Sequence, residues 1–75
     1  MNYETNEILN WIMNDEQNLN NCIDKLNDFD RFKFTVFMLF VKLNNQFDLI
    51  NCYDFELSEL NYNELFDYLN EYIKE

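Results

Sequence analysis

The segment from residue 29 to residue 43, FDRFKFTVFMLFVKL, constrains the fold more than any other part of the chain. At about 100° per residue, its apolar residues occupy two opposite sides of a helix. One side carries Phe34, Phe37, Met38 and Val41, and the other carries Phe32, Val36, Leu39 and Leu43. Arg31, Thr35 and Lys42 form a narrow polar seam. A helix that is apolar nearly all round must be covered by other elements or by a partner. The segment therefore predicts a buried central helix over about 29–44.

The length and composition of the chain predict one domain, residues 1–75. A chain of this size buries only about 60% of its unfolded surface, so its stability is expected to be modest. Apolar residues make up 48% and aromatic residues 19%, which is sufficient for a core. There is no Gly or Pro, so Asn and Asp must form the turns. We expect an all-α, compact bundle of four to five short helices around the central helix.

Two helices are predicted before the central one. Residues 3–14 carry an apolar stripe and can be capped by Asn2 or Thr5. The second helix starts at Asp15, capped by Asn14, and ends at an Asn27-Asp28 turn. The apolar positions of the two helices are Ile8, Leu9, Ile12 and Met13, then Leu19, Cys22, Ile23 and Leu26. Asn18, Asn21 and Lys25 are predicted to face solvent.

The central helix is expected to be capped by Asp28 or Asp30 and closed by Asn44-Asn45. In the segment after it, 46–57, apolar and polar residues alternate, which is typical of a strand. The same residues also allow a short helix over 46–53 followed by an extended link, and we favour that interpretation. The alternative is an α+β fold with one strand within 46–57.

The last predicted helix, 61–74, has the clearest pattern in the chain. Asn61 and Glu64 have the spacing of a capping box. The predicted buried stripe is Tyr62, Leu65, Phe66, Leu69 and Ile73, and Ser58 is a second possible start. A separate acidic stripe holds Glu64, Asp67, Glu71 and Glu75, with Tyr68 and Tyr72 between the two stripes.

Few residues in this chain are suited to catalysis. The absence of His removes the usual general base and the usual zinc ligand, and the absence of Gly removes phosphate-binding loops. Asp28 and Asp30 are spaced like the start of a calcium loop, but the central Gly and the terminal Glu are missing. We expect no enzyme activity, no metal and no cofactor.

The chain is also expected to be cytoplasmic, or to act in the host cytoplasm if it is viral. Its acidic start, MNYETNE, does not resemble a signal peptide, and its longest apolar run is too short to span a membrane. Cys22 and Cys52 are therefore expected to be reduced and buried.

The charge distribution is the main clue to function. The formal net charge is −10, which repels nucleic acids and anionic membranes and attracts basic surfaces. Between Leu43 and Ile73 there are seven acidic residues and no basic residue. The alternative is that the acidity only keeps a small protein soluble. The predicted partner-binding residues are Asp54, Glu56, Glu59, Glu64, Asp67, Glu71 and Glu75, with Tyr68, Tyr72 and Trp11 as aromatic anchors. Trp11 can instead cover the edge of the core.

Three functions fit these features. The first is a small acidic inhibitor that imitates phosphates and occupies the nucleic-acid site of a basic protein. Anti-CRISPR proteins, restriction inhibitors and other phage-encoded blockers are similar in general type, although no motif of a family is present. The second is an antitoxin or immunity protein that neutralises a basic nuclease or toxin. The third is a homodimeric interaction module that buries the surplus aromatic residues between two copies.

Overall fold

The computed structural model describes residues 1–48 and 55–74, and these residues form four α-helices and a short 3₁₀ turn. The helices are α1 (Tyr3–Asn14), α2 (Glu16–Ile23), α3 (Phe29–Phe47) and α4 (Tyr62–Lys74), and the 3₁₀ turn spans Leu57–Glu59. The described ranges contain no strand. The predicted all-α bundle is confirmed, and the alternative with a strand is not supported. Residues 49–54, which make up half of the uncertain segment 46–57, lie outside the described residues.

Aspartate side chains start both α2 and α3. An Asp15 carboxylate oxygen accepts a hydrogen bond from the backbone N–H of Gln17 at 2.9 Å, so Asp15 is the cap of α2 and not the predicted Asn14. An Asp28 carboxylate oxygen accepts from the N–H of Asp30 at 3.1 Å, as one of the two predicted caps of α3. Both carboxylates also suit the positive end of the helix dipole.

The end of α3 lies beyond its predicted position. Asn44-Asn45 continues the helix, which ends at Phe47. Asp48 then adopts the left-handed conformation at φ 50° and ψ 51°, and its N–H donates to the Asn44 carbonyl at 2.7 Å. Aspartate tolerates this conformation better than most residues, so it can terminate a helix in a chain without glycine.

The core lies where α1, α2 and α4 meet one side of α3. Two ring contacts mark it: Phe32 meets Phe66 edge-on at 5.2 Å between centroids, and Phe40 stacks on Phe55 at 5.2 Å. The buried apolar residues are Ile8, Leu9, Ile12, Cys22, Phe32, Val36, Leu39, Phe40, Leu43, Phe55, Leu60, Leu65 and Leu69. Every α-helix contributes to this list, so the bundle has one shared core.

The second apolar side of α3 is mostly uncovered, which corrects the expectation of a helix buried all round; of its four residues only Val41 packs against the core. Phe34 is 66% exposed, Met38 48% and Phe37 39%. The described parts of the other helices pack against the opposite side of α3. Three short helices are too few to surround a fourth, so the fold leaves one side of α3 in solvent.

Two smaller predictions are also wrong. Asn18 is buried, although it was expected in solvent, because it lies one turn before the fully buried Cys22 on the same side of α2. Ile73 is exposed, although it fits the buried stripe of α4, because it lies in the last turn of that helix.

The start of α1 holds the chain segment that leads into α4. The buried Thr5 hydroxyl oxygen accepts a hydrogen bond from the Asn61 N–H at 2.9 Å. A carboxylate oxygen of Glu4, which is also buried, accepts from the Glu56 N–H at 3.2 Å. These bonds join residues more than fifty positions apart in sequence, so they fix the position of α4 relative to α1.

Thr5 also replaces half of the predicted capping box. The Asn61 side-chain oxygen accepts from the Glu64 N–H at 3.1 Å, as predicted. The return bond would use the Asn61 N–H, but this group donates to Thr5 instead. The cap of α4 is therefore a three-residue network that includes α1.

Thr5→Val should destabilise the fold by about 1–3 kcal/mol, since the Asn61 N–H would lose its partner in a part-buried position. Thr35→Val is the matched control, because the exposed Thr35 hydroxyl only donates to the Arg31 carbonyl within α3. We expect the control to change stability by no more than about 0.5 kcal/mol. Urea unfolding followed by circular dichroism measures both, and equal stabilities would contradict the role given to Thr5.

Candidate partner-binding site

The predicted acidic stripe forms a row on the outer side of α4, called here the acidic face and consisting of Glu64, Asp67 and Glu71. The spacings of three and four residues place their side chains on one side of the helix, with Cβ atoms about 5–6 Å apart. Asp67 and Glu71 are exposed, and Glu64 is half-buried. Leu65 and Leu69 are fully buried on the other side of α4 and fix its orientation.

Two of these carboxylates have weak ion pairs. A carboxylate oxygen of Glu64 lies 3.8 Å from the α-amino nitrogen of Met1, and one of Glu71 lies 3.8 Å from the Lys74 Nζ. Both distances exceed those of direct hydrogen bonds, and exposed pairs of this kind contribute about 0–1 kcal/mol. Asp67 has no ion pair within residues 1–48 and 55–74. The acidic face therefore keeps most of its charge for a partner.

Tyr68 and Tyr72 lie beside the acidic face, as predicted. They are 43% and 41% exposed, and they are four residues apart on α4. A half-exposed tyrosine has a large ring and a polar hydroxyl that can both contact a partner. The structure thus places two aromatic residues next to the acidic face.

The other predicted contact residues are more dispersed. Glu56 and Glu59 are exposed near the 3₁₀ turn, where the Glu59 carbonyl accepts a hydrogen bond from the Asn2 side chain. The backbone of this segment is therefore tied to α1, while its carboxylates point to solvent. Asp54 and Glu75 lie outside the described residues.

Trp11 is half-buried and packs against the core. This is the position expected if Trp11 covers the edge of the core. Its ring lies 5.2 Å from the ring of Phe47, between centroids. The contact joins α1 to the last residue of α3 and gives Trp11 a structural role. Its role as a partner anchor stays a prediction.

A second surface, which the predicted partner-binding residues do not include, consists of Phe34, Phe37 and Met38 and is called here the outer face of α3. A groove of about 460 Å³ separates part of it from α2, and Lys25 and Lys42 line this groove. Two features of the sequence indicate this surface. One is the second apolar side of α3, and the other is that four of the chain's five basic residues lie in the segment from Lys25 to Lys42.

Lys33, which stands apart from the polar seam in sequence, has aromatic neighbours in the structure. Its Nζ lies 5.6 Å from the ring centroid of Phe29 and 5.7 Å from that of Tyr62. These are cation–π distances, and they connect the first half of α3 to the first turn of α4. Lys33 thus contributes to the fold at the border of the outer face of α3.

Two other reactive groups of the described residues, the Cys22 thiol and the Asp28 carboxylate, have structural roles, while Cys52 lies outside the described residues. Burial raises the pKa of the Cys22 thiol to about 11, so the thiol is neutral near pH 7 and a poor nucleophile. The Asp28 carboxylate is engaged as the cap of α3. In the described part of the chain, no three His, Cys, Asp or Glu side chains are arranged to hold a metal ion.

None of the described helices is both long and apolar enough to span a bilayer. Comparisons with models of known protein families, with curated proteins and with solved structures found no match for this chain.

Proposed function

We propose that the protein is a small acidic inhibitor that binds the nucleic-acid-binding surface of a basic partner and excludes nucleic acid from it. The observation that carries the proposal is the acidic face, where Asp67 and Glu71 are exposed one turn apart on a helix anchored in the core. Its charges lie within a sequence region, from Leu43 to Ile73, that has no basic residue. As part of this proposal, the protein acts in the cytoplasm as a phage-type inhibitor, similar in general type to anti-CRISPR proteins.

The acidic face would act in two stages. The net charge of −10 attracts a basic surface over a distance and raises the association rate. In the complex, Asp67 and Glu71 pair with the Lys and Arg side chains that otherwise contact phosphates. Because the buried side of α4 fixes the backbone of the helix, the loss of conformational entropy on binding is confined mainly to the side chains.

Tyr68 and Tyr72 would supply the long lifetime of the complex. Charge pairs at the rim of an interface mainly affect the association rate, whereas buried aromatic residues dominate the binding energy. Each ring lies beside the acidic face and retains more than two fifths of its surface for a partner. Because acidic side chains and aromatic rings both contact the partner, added salt should weaken binding but not abolish it.

The like charges along the acidic face also support a function. Asp67 and Glu71 repel each other at a spacing of four residues, which costs a few tenths of a kcal/mol. In the described residues, one weak ion pair, between Glu71 and Lys74, offsets this repulsion. A basic partner would relieve it.

Capture of the partner tests the proposal. The immobilised protein is exposed to a lysate of the cells in which it acts, and retained proteins are released with duplex DNA at constant ionic strength and identified by mass spectrometry. We expect a basic nucleic-acid-binding protein that duplex DNA displaces. Its retention should fall with Asp67→Asn and Glu71→Gln, which keep the shape of the side chains but remove the charge.

Equal retention by the wild-type and amide variants, or retention that DNA leaves unchanged, would contradict the mimicry of phosphates. An antitoxin or immunity protein would use the same surface. A captured toxin or nuclease from the same gene neighbourhood would identify that alternative.

A further inference from the structure

The outer face of α3 is an exposed apolar surface that the proposed function does not use. Phe34 and Met38 border the groove of about 460 Å³ between α2 and α3. On the other side, Phe34 and Phe37 border a smaller depression of about 260 Å³ next to Tyr62 of α4. Contiguous exposed apolar side chains on a small protein commonly mark an interaction surface.

The charges around this face indicate the chemistry of its occupant. Lys25 and Lys42 both line the larger groove, and neither has an ion pair in the described residues. This is unusual in a chain with 15 acidic and 5 basic residues, where nearby carboxylates are abundant. An apolar groove lined by two lysines without ion pairs is complementary, in both polarity and charge, to an amphipathic helix that carries acidic residues.

The outer side of α4 has these properties. Tyr68 and Tyr72 are exposed and lie four residues apart, the spacing with which a helix presents anchors to a groove. Asp67 and Glu71, at the adjacent positions, supply negative charge. A contact between the α3 helices of two copies would instead bring together surfaces whose rims are both basic, and like charges would repel.

We propose that a second copy of this chain docks the outer side of its α4 into the groove between α2 and α3. Tyr68 and Tyr72 of one copy pack against Phe34 and Met38 of the other, and the carboxylates beside the two tyrosines approach Lys25 and Lys42. The association covers the apolar residues that the isolated fold leaves in solvent. It is measured on the isolated protein in the absence of the proposed partner, which would compete for the same side of α4.

Two charge-reversed variants test this arrangement. The groove variant carries Lys25→Glu and Lys42→Glu, and the helix variant carries Asp67→Lys and Glu71→Lys. Sedimentation velocity is measured over a range of concentrations, at a salt concentration that screens the repulsion between two acidic chains. The wild type should reach at least twice the 9.3 kDa mass of one chain. Each variant alone should associate about 100-fold more weakly.

Mixing the two variants distinguishes the proposal from a general loss of association. In an equimolar mixture, the unchanged groove of the helix variant meets the unchanged α4 of the groove variant, so association should return to the wild-type level. The two altered surfaces are also opposite in charge. An unfolded variant could not restore association in this way, and circular dichroism checks the fold of each.

Two further variants serve as controls. Glu7→Lys with Glu16→Lys makes the same charge change as the helix variant, but on α1 and α2, and should leave association unchanged. Phe34→Ala with Met38→Ala should weaken association without reversing any charge. A wild type that remains monomeric at every concentration, or a mixture that associates no better than its components, would overturn the proposal.

Discussion

Replacing Asp67 and Glu71 by lysine is expected to weaken binding of the proposed partner by about 100-fold or more. Close charge pairs at interfaces contribute about 1.5 kcal/mol or more each, and two reversals turn attraction into repulsion. A loss of about 3 kcal/mol corresponds to more than 100-fold in the dissociation constant. Isothermal titration with the purified partner measures the effect.

The fold should survive this double replacement. Asp67 and Glu71 are exposed, while Leu65 and Leu69 carry the contacts of α4 with the core. Lysine near the end of a helix is also favoured by the helix dipole. The control is Glu7→Lys with Glu16→Lys, which changes the net charge of the chain by the same amount. If both double variants bound the partner equally, net charge and not the acidic face would determine binding.

Phe32→Ala should remove a large part of the stability of the domain. Phe32 is fully buried, and its ring packs edge-on against Phe66. Truncation of a buried phenylalanine costs about 3–5 kcal/mol, whereas a domain of this length is stable by about 4–11 kcal/mol. We expect a large fall in the urea midpoint, or a chain that is unfolded at 25 °C.

Phe34→Ala is the matched control, two residues further along the same helix. Phe34 is 66% exposed, so its truncation removes few contacts within one copy. In dilute solution, where association is weak, the unfolding free energy should change by less than about 1 kcal/mol. Equal losses for the two variants would mean that the buried side of α3 has been misassigned.

The helix positions were predictable because the signals are local. The α1 range 3–14 agrees with the structure, and α4 begins one residue after its predicted Asn61 cap. Caps depend on side chains and backbone groups within three or four residues of each other, so the sequence contains nearly all the information. The end of α3 was missed because Asn44-Asn45 and Asp48 are all residues that can end a helix, and the choice among them depends on the folded context.

The buried side of α3 could not be chosen from its pattern. Phe32, Val36 and Leu39 are no more apolar than Phe34, Phe37 and Met38, so periodicity assigns both sides to the interior. The buried side depends on where the other helices pack in the folded chain, which the pattern of α3 alone does not contain. The burial of Glu4 could not be predicted for the same reason. The pattern assigns Glu4 to the polar side of α1, but its carboxylate accepts a hydrogen bond from the Glu56 N–H, 52 residues away.

The acidic face was predictable for a different reason. Charged residues three and four apart on an amphipathic helix must lie together once the apolar stripe is buried, as Leu65 and Leu69 are here. The groove between α2 and α3 was not predictable, since Lys25 and Lys42 come from different elements and meet only in the folded chain.

Competition with DNA on the purified partner tests the central claim most directly. A fluorescent duplex bound to the partner is titrated with this protein at constant ionic strength, and anisotropy reports the bound fraction. We predict complete displacement of the duplex, with an apparent dissociation constant that rises in proportion to the DNA present. A ternary complex, in which the protein binds while the duplex stays on the partner, would contradict the account.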